Sequence, residues 1–184
     1  MKNTCKIKIF IIFIFLICML FIVYIEIDYI KTRTIESAIE NSFDNPHPTI
    51  KLKKILNVID VDCDTKFVFY INDGNSISDA HLSKKWNGGW KVLSAGGTFP
   101  LEISNVDIYF FSRLFNNEIF IYGGIIYNKN TNKVYFNETE ATILDNDEDV
   151  RISYIKTDKV VPSYEIKGYN YLGKQIWSHN ITQN

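Results

Sequence analysis

The residues able to do chemistry are scattered along this chain. The three histidines, His47, His81 and His179, stand far apart, whereas a metal centre needs donors clustered around one point. No H-E-x-x-H run or paired-cysteine spacing occurs, so the sequence implies no metal and no cofactor. Two acidic runs come nearer to a calcium loop. "DVDCDT" begins at Asp60 with alternating carboxylates, but an EF-hand loop needs Gly at its sixth place and Glu at its twelfth, and Thr65 and Ile71 stand there. "DNDEDV" from Asp145 puts Val150 and Lys156 in those places. Both runs read as solvated loops. Nucleophilic catalysis fares no better. There is no G-x-S-x-G elbow, and the acids beside Cys63 disfavour its thiolate. The glycine pairs in "SAGGTFP" and "IYGGII" lack the lysine or following helix that would cradle a phosphate. No catalytic residue is therefore expected.

One stretch stands out, "SKKWNGGWKVLSAGG" from Ser83 to Gly97. With Asn87-Gly88-Gly89 as a three-residue hairpin loop, Trp86 and Trp90 fall at its base and pair across the strands. Such a pair stabilises by roughly 0.5–1 kcal/mol. The simpler reading is a clamp on the hairpin's own strands. The functional reading is an aromatic platform for a sugar ring, a peptide or the lipid interface. Lys84, Lys85 and Lys91 would then suit an anionic headgroup or wall polymer.

The elements that hold this hairpin begin at the amino terminus. Residues 9–25, "IFIIFIFLICMLFIVYI", carry no charge. As a helix they rise about 25 Å, slightly short of the ~30 Å hydrocarbon core, and residues up to 29 extend them. "YIEIDYI" after the run offers no small-residue cleavage site, and Ile17 before Cys18 departs from a lipobox. An uncleaved anchor is the expectation, with the bilayer as its partner. Lys2, Lys6 and Lys8 precede it, while Glu26 and Asp28 follow, so the positive-inside rule puts the amino terminus in the cytoplasm and the rest outside. Those three lysines leave 17 of the 20 basic residues to face all 21 acidic ones. The outer part is mildly acidic, which argues against nucleic acid as a partner. Cys63 is the one cysteine beyond the span, so no disulfide is expected.

Residues 1–8 thus read as a cytoplasmic tail, 9–29 as the span, 30–45 as an amphipathic helix or stalk, and 46–184 as an outer domain. Ile35, Ala38, Ile39 and Phe43 share one helical face, which should pack on the domain. Three residues after Thr34 comes Ser37 rather than Glu, so no capping box separates this segment from the span, and one continuous rod is expected. The helix should stop near Asn45, before Pro46, with "DNPHP" (Asp44 to Pro48) as the boundary. Beyond Thr49 the apolar period changes from helical to alternating. "KFVFYIN" (Lys66 to Asn72) is apolar on both faces and reads as a central strand. Gly123-Gly124 suggests a bulge or sharp bend. The fold class is mainly β (α+β): about ten antiparallel strands as a meander, sandwich or open barrel.

"FVFYIND", "KKWNGGWKVLSAGG", "GGIIYNKNTNKVYFN" and "YEIKGYNYLGKQIW" resemble segments of small uncharacterised proteins of Bacillus and related Firmicutes, over roughly residues 35–178. The resemblance implies an amino-terminal anchor or lipoprotein signal joined to one β-rich domain outside the cell. It implies no activity, and without a lipobox lipidation does not carry over. The functional expectation is a membrane-anchored binding domain, its partner an envelope component or another membrane protein. The alternatives are an envelope hydrolase or transferase and an immunity-type regulator of a neighbouring membrane protein.

Overall fold

A computed structural model describes residues 2–42, 51–103, 105–116, 118–146 and 150–182, with side chains from Phe10 onward. The expected boundary at Asp44 to Pro48 lies outside the described residues, as do Phe43 and the centre of the "DNDEDV" run.

Helix α1 spans Lys2–Thr32 and contains neither Gly nor Pro. Within its Phe10–Thr32 stretch an 18-residue window has a mean hydropathy of 3.0 and is not covered by the rest of the protein. At about 1.5 Å per residue the whole stretch rises roughly 35 Å, so this helix is long and apolar enough to cross a membrane. α1 does not run on as a rod. It ends at Thr32, and α2 begins at Ile35 and ends at Ser42. The break is capped from both sides. Thr34 Oγ1 accepts from the Ser37 backbone N–H at 3.1 Å, and Ser37 Oγ accepts from the Thr34 N–H at 3.1 Å. That is the reciprocal geometry of a capping box, with serine in the place usually held by Glu or Gln. The expectation of a continuous rod fails because a hydroxyl can close the box. Asn41 Nδ2 then reaches back to donate to the Lys31 carbonyl at 2.9 Å, satisfying one of the last carbonyls of α1.

Twelve strands follow among the described residues. The first four, β1 (Leu52–Asp60), β2 (Thr65–Asn72), β3 (Ser76–Lys84) and β4 (Trp90–Pro100), form an antiparallel meander, sheet A. Sheet B has the order β5-β6-β10-β9, from Ile108–Phe115, Ile119–Ile126, Arg151–Thr157 and Thr142–Leu144. Sheet C has the order β12-β11-β7-β8, from Gln175–Thr182, Ser163–Tyr169, Lys133–Phe136 and Thr139–Glu140. None of the three closes into a barrel. They stack in three layers, and α2 adds a fourth.

The packing follows from strand alternation. Phe67, Phe69 and Ile71 of β2 face sheet B and meet Phe111, Phe115, Ile121, Ile125 and Ile152. Ring centroids lie 5.3 Å apart for Phe67–Phe115 and 5.0 Å for Phe69–Phe111, a spacing that favours edge-on aromatic packing. Val68 and Tyr70 point the other way, onto Ala38 and Ile39 of α2. β2 is therefore a central strand buried on both faces, and the apolar face of α2 is spent on sheet A. Sheet B is covered twice as well. Ile108, Tyr122 and Ile126 on its far face meet Val134, Phe136, Tyr164, Ile166 and Trp177 of sheet C. The Trp177 indole N–H is satisfied by Thr131 Oγ1 at 2.9 Å.

Gly123 and Gly124 make no bulge. β6 pairs without a register shift to both β5 and β10. The glycines are needed for space: a Cβ on Gly123 would enter the Phe111 ring, and one on Gly124 would enter Ile108. Gly168 serves the same purpose beneath the Trp177 indole. A methyl group there forces the indole off its rotamer, so Gly168→Ala should destabilise the protein by about 1–3 kcal/mol. A Cβ on Gly96 would meet nothing within 4 Å, so Gly96→Ala should change stability by less than about 0.5 kcal/mol. Urea unfolding of the detergent-solubilised chain reads both.

Candidate functional site

The hairpin between β3 and β4 is where the sequence concentrates its aromatic and basic residues, but its geometry differs from a three-residue loop. β3 pairs with β4 through Lys84↔Trp90 and Ser83↔Lys91. The loop is thus Lys85 to Gly89, closed by Lys85 N–H to Gly89 O at 2.7 Å and Gly88 N–H to Lys85 O at 2.9 Å. Gly88 takes a φ of +88°, a conformation that favours glycine. Trp86 sits in the loop rather than at its base, so it cannot pair with Trp90, and the clamp expected from spacing is absent. Trp90 lies half-buried beside α2 with Val92 and under the Lys66 ammonium, 5.4 Å from the ring centre. Trp86 is 81% exposed.

The loop is gripped from below by the end of α1. Lys85 Nζ lies 2.5 Å from Asp28 Oδ2, and Asn87 Nδ2 donates to the same oxygen at 3.1 Å. Gly89 is buried against Thr32, where a Cβ would collide with the hydroxyl. Lys84 and Lys91 remain exposed. The five residues picked out by sequence therefore separate: Lys85 holds the helix, Trp90 packs inward, and Trp86, Lys84 and Lys91 face out. The adjoining "DVDCDT" turn is also engaged within the fold. Asp60 pairs with Lys66, Asp62 accepts from Asn116 at 2.7 Å, and the Asp64 carbonyl accepts from the Lys84 N–H at 2.7 Å. Among the described residues no group of three or more His, Cys, Asp or Glu is arranged around a common point.

A polar pair lies inside the A/B interface. Asp79 on β3 is buried and receives Arg113 of β5 at 2.7 Å. Burial pushes its carboxyl above the usual range, and Arg113 offsets this only in part. Two residues along, His81 shares that face. Its ring meets Phe115 edge-on at 4.6 Å, and its Nε2 is enclosed without a hydrogen-bond partner. Burial lowers its pKa below 6.5, with Asp62 opposing.

A concavity lies at the opposite side of the stack, on the outer face of sheet C. It measures about 560 Å³ and is lined by Lys133, Tyr135, Asn137, Glu138, Lys167, Tyr169 and Gly173. Strand alternation puts Lys133 and Tyr135 of β7 on one face with Lys167 and Tyr169 of β11, in the register Lys133↔Tyr169 and Tyr135↔Lys167. The two tyrosine rings meet edge-on at 5.4 Å. Glu140 takes Lys133 at 3.0 Å and the Tyr135 hydroxyl at 2.9 Å, while Glu165 takes Lys167 at 2.7 Å. Hydrogen bonds from Lys133 and then Tyr135 hold Glu140 below the ordinary glutamate range. Asn137, at φ +53°, also borders a smaller cleft of about 220 Å³ between sheets B and C, floored by Tyr122, Phe136, Ile155, Val161 and Tyr164. Sequence reasoning does not single out this face. A signal for it exists: the outward positions of "KVYF" and "YEIKGY" carry tyrosines among the charges.

The fold and these surfaces define a class of protein: three stacked antiparallel sheets behind one helix of membrane-crossing length. No family model matches the chain, and neither a curated protein nor a solved structure matches it.

Two outcomes follow. Asp28→Ala removes the acceptor of Lys85 and Asn87, a loss of about 1–2 kcal/mol, so hydrogen exchange at the Lys85 and Gly88 amides should quicken roughly tenfold. For pH, the unfolded chain protonates His81 first, because folding lowers that pKa. The stability tied to neutral His81 is complete above 6.5 and declines as pH falls through 6.5 toward the folded value. Asp79 runs the other way: protonation favours the fold, and that gain is lost as pH rises through 3.8 toward its raised folded value. The thermal midpoint should therefore drop from about pH 7 to about pH 5.5, and His81→Phe should remove most of that drop.

Proposed function

We propose that this chain is a single-pass membrane protein with its amino terminus in the cytoplasm, whose β domain lies outside the cell and binds a polypeptide partner. It would act as the small anchored proteins of Bacillus and related Firmicutes are expected to act. The orientation rests on Lys2, Lys6 and Lys8 before the span and Glu26 and Asp28 at its end. The observation that carries binding is the groove on sheet C, with its two tyrosines among paired lysines and glutamates.

The chemistry of that groove selects the partner class. Tyrosine offers a rigid amphipathic surface at low entropic cost. Lys133 and Lys167 are each already matched by a carboxylate. A wall polyanion would need uncompensated cations, whereas a polypeptide segment carries both signs and apolar side chains to lay across the rings. The adjoining cleft, aromatic-floored and about 220 Å³ in volume, is sized for one apolar side chain of such a segment.

The test uses the full chain in lipid nanodiscs as bait for envelope fractions of a Gram-positive cell. The wild type should retain a protein that the Tyr135→Ala/Tyr169→Ala variant loses, with the thermal midpoint unchanged. Retention of the same protein by both baits, or turnover of an envelope substrate without a stable partner, would overturn the reading.

A further inference from the structure

The exposed indole at the hairpin tip has no role in the fold and none in the sheet C groove. Trp86 is 81% exposed, although the loop around it is held by hydrogen bonds within the hairpin and onto α1. Single exposed apolar side chains are common on protein surfaces, so it is the place where an ordered loop holds this amphipathic ring that points to an occupant. Its position identifies the occupant. The loop lies against the last turn of the membrane-length helix: Lys85 and Asn87 on Asp28, Gly88 facing the Tyr29 ring, and Gly89 on Thr32. The end of a spanning helix is at headgroup level. Trp and Tyr concentrate there because an indole or phenol has one apolar side and one hydrogen-bonding edge.

We propose that Trp86 inserts into the interfacial layer of the same bilayer that α1 crosses, as a second point of membrane attachment. The inference rests on α1 being the membrane span. The contact is made by the indole. Lys85 is occupied by Asp28 and Lys66 by Asp60. Lys31 and Arg33 at the end of α1 and Lys84 and Lys91 on the hairpin remain exposed at this end, and the Lys84 N–H ties the hairpin to the Asp64 carbonyl of the acidic turn.

The experiment is tryptophan fluorescence of the full chain in phosphatidylcholine vesicles brominated near the headgroup end of the acyl chain. Bromine quenches only indoles it touches. Of the three tryptophans, Trp90 is packed against α2 and Trp177 lies in the core. The wild type should lose roughly a third of its emission relative to unbrominated vesicles, its share for one indole in three. Trp86→Phe, at a position the fold does not use, should lose almost none. Bromine near the chain terminus should quench less. Equal quenching of the two proteins, or no quenching of either, would overturn the proposal. Failure of the chain to co-float with the vesicles would instead overturn the span itself. Each of these is independent of whether sheet C binds a polypeptide.

Discussion

A strand with no polar face governs this architecture. β2 alternates Phe67, Phe69 and Ile71 with Val68 and Tyr70, all buried, so sheet A needs a partner on each side. A single sheet on a single helix would leave one row of rings in water, at a cost of roughly 1.5–3 kcal/mol per large side chain. Sheet B covers one row and α2 the other. β6 repeats the demand one layer on, since Ile121 and Ile125 face sheet A while Tyr122 and Ile126 face sheet C. The stack therefore grows to three sheets, ending on the first sheet face that can tolerate solvent, the Tyr/Lys/Glu face of β7 and β11.

The same constraint ties the β domain to α1. Because α2 is part of the core, the turn at Arg33 and Thr34 must hold a defined angle, and the Thr34–Ser37 box together with Asn41 on the Lys31 carbonyl sets it. The hairpin loop then closes a second contact on α1 through Asp28. Connection through a helix corner alone would leave a hinge. Two contacts on different turns oppose it.

Periodicity makes much of this legible. The alternation of "KFVFYIN" reveals a doubly buried strand, the uncharged amino-terminal run reveals a membrane-length helix, and Ile35, Ala38 and Ile39 mark the face that packs. The misreadings have local causes. Ser37 escapes notice when the box is sought with a carboxylate, although a hydroxyl both donates and accepts. Gly123-Gly124 reads as a bulge because a glycine's reason often lies on the neighbouring strand, here Phe111 and Ile108. The hairpin loop comes out two residues too short, since loop length depends on the register of β3 with β4 and Asn-Gly-Gly alone leaves that open. The sheet C groove arises where β7 and β11, about thirty residues apart in the chain, are brought side by side. Only their pairing shows that Tyr135 and Tyr169 share a face.

The doubled attachment of sheet A has a consequence for encounter with other molecules. Sheets pack about 10 Å apart, so sheet C stands two layers, roughly 20 Å, to the side of sheet A. The contacts at the helix corner and through Asp28 oppose hinging at Arg33 and Thr34 and so favour one azimuth and one height of the groove relative to the helix. A flexible tether lets a domain sample a hemisphere and dilutes any surface it carries. If α1 crosses a bilayer as proposed, the doubled mount confines that surface to a ring around the helix axis, where a molecule diffusing in the same bilayer would meet it with two translations and one rotation left to search. The local concentration of the groove would then depend on lateral density in the membrane rather than on linker length.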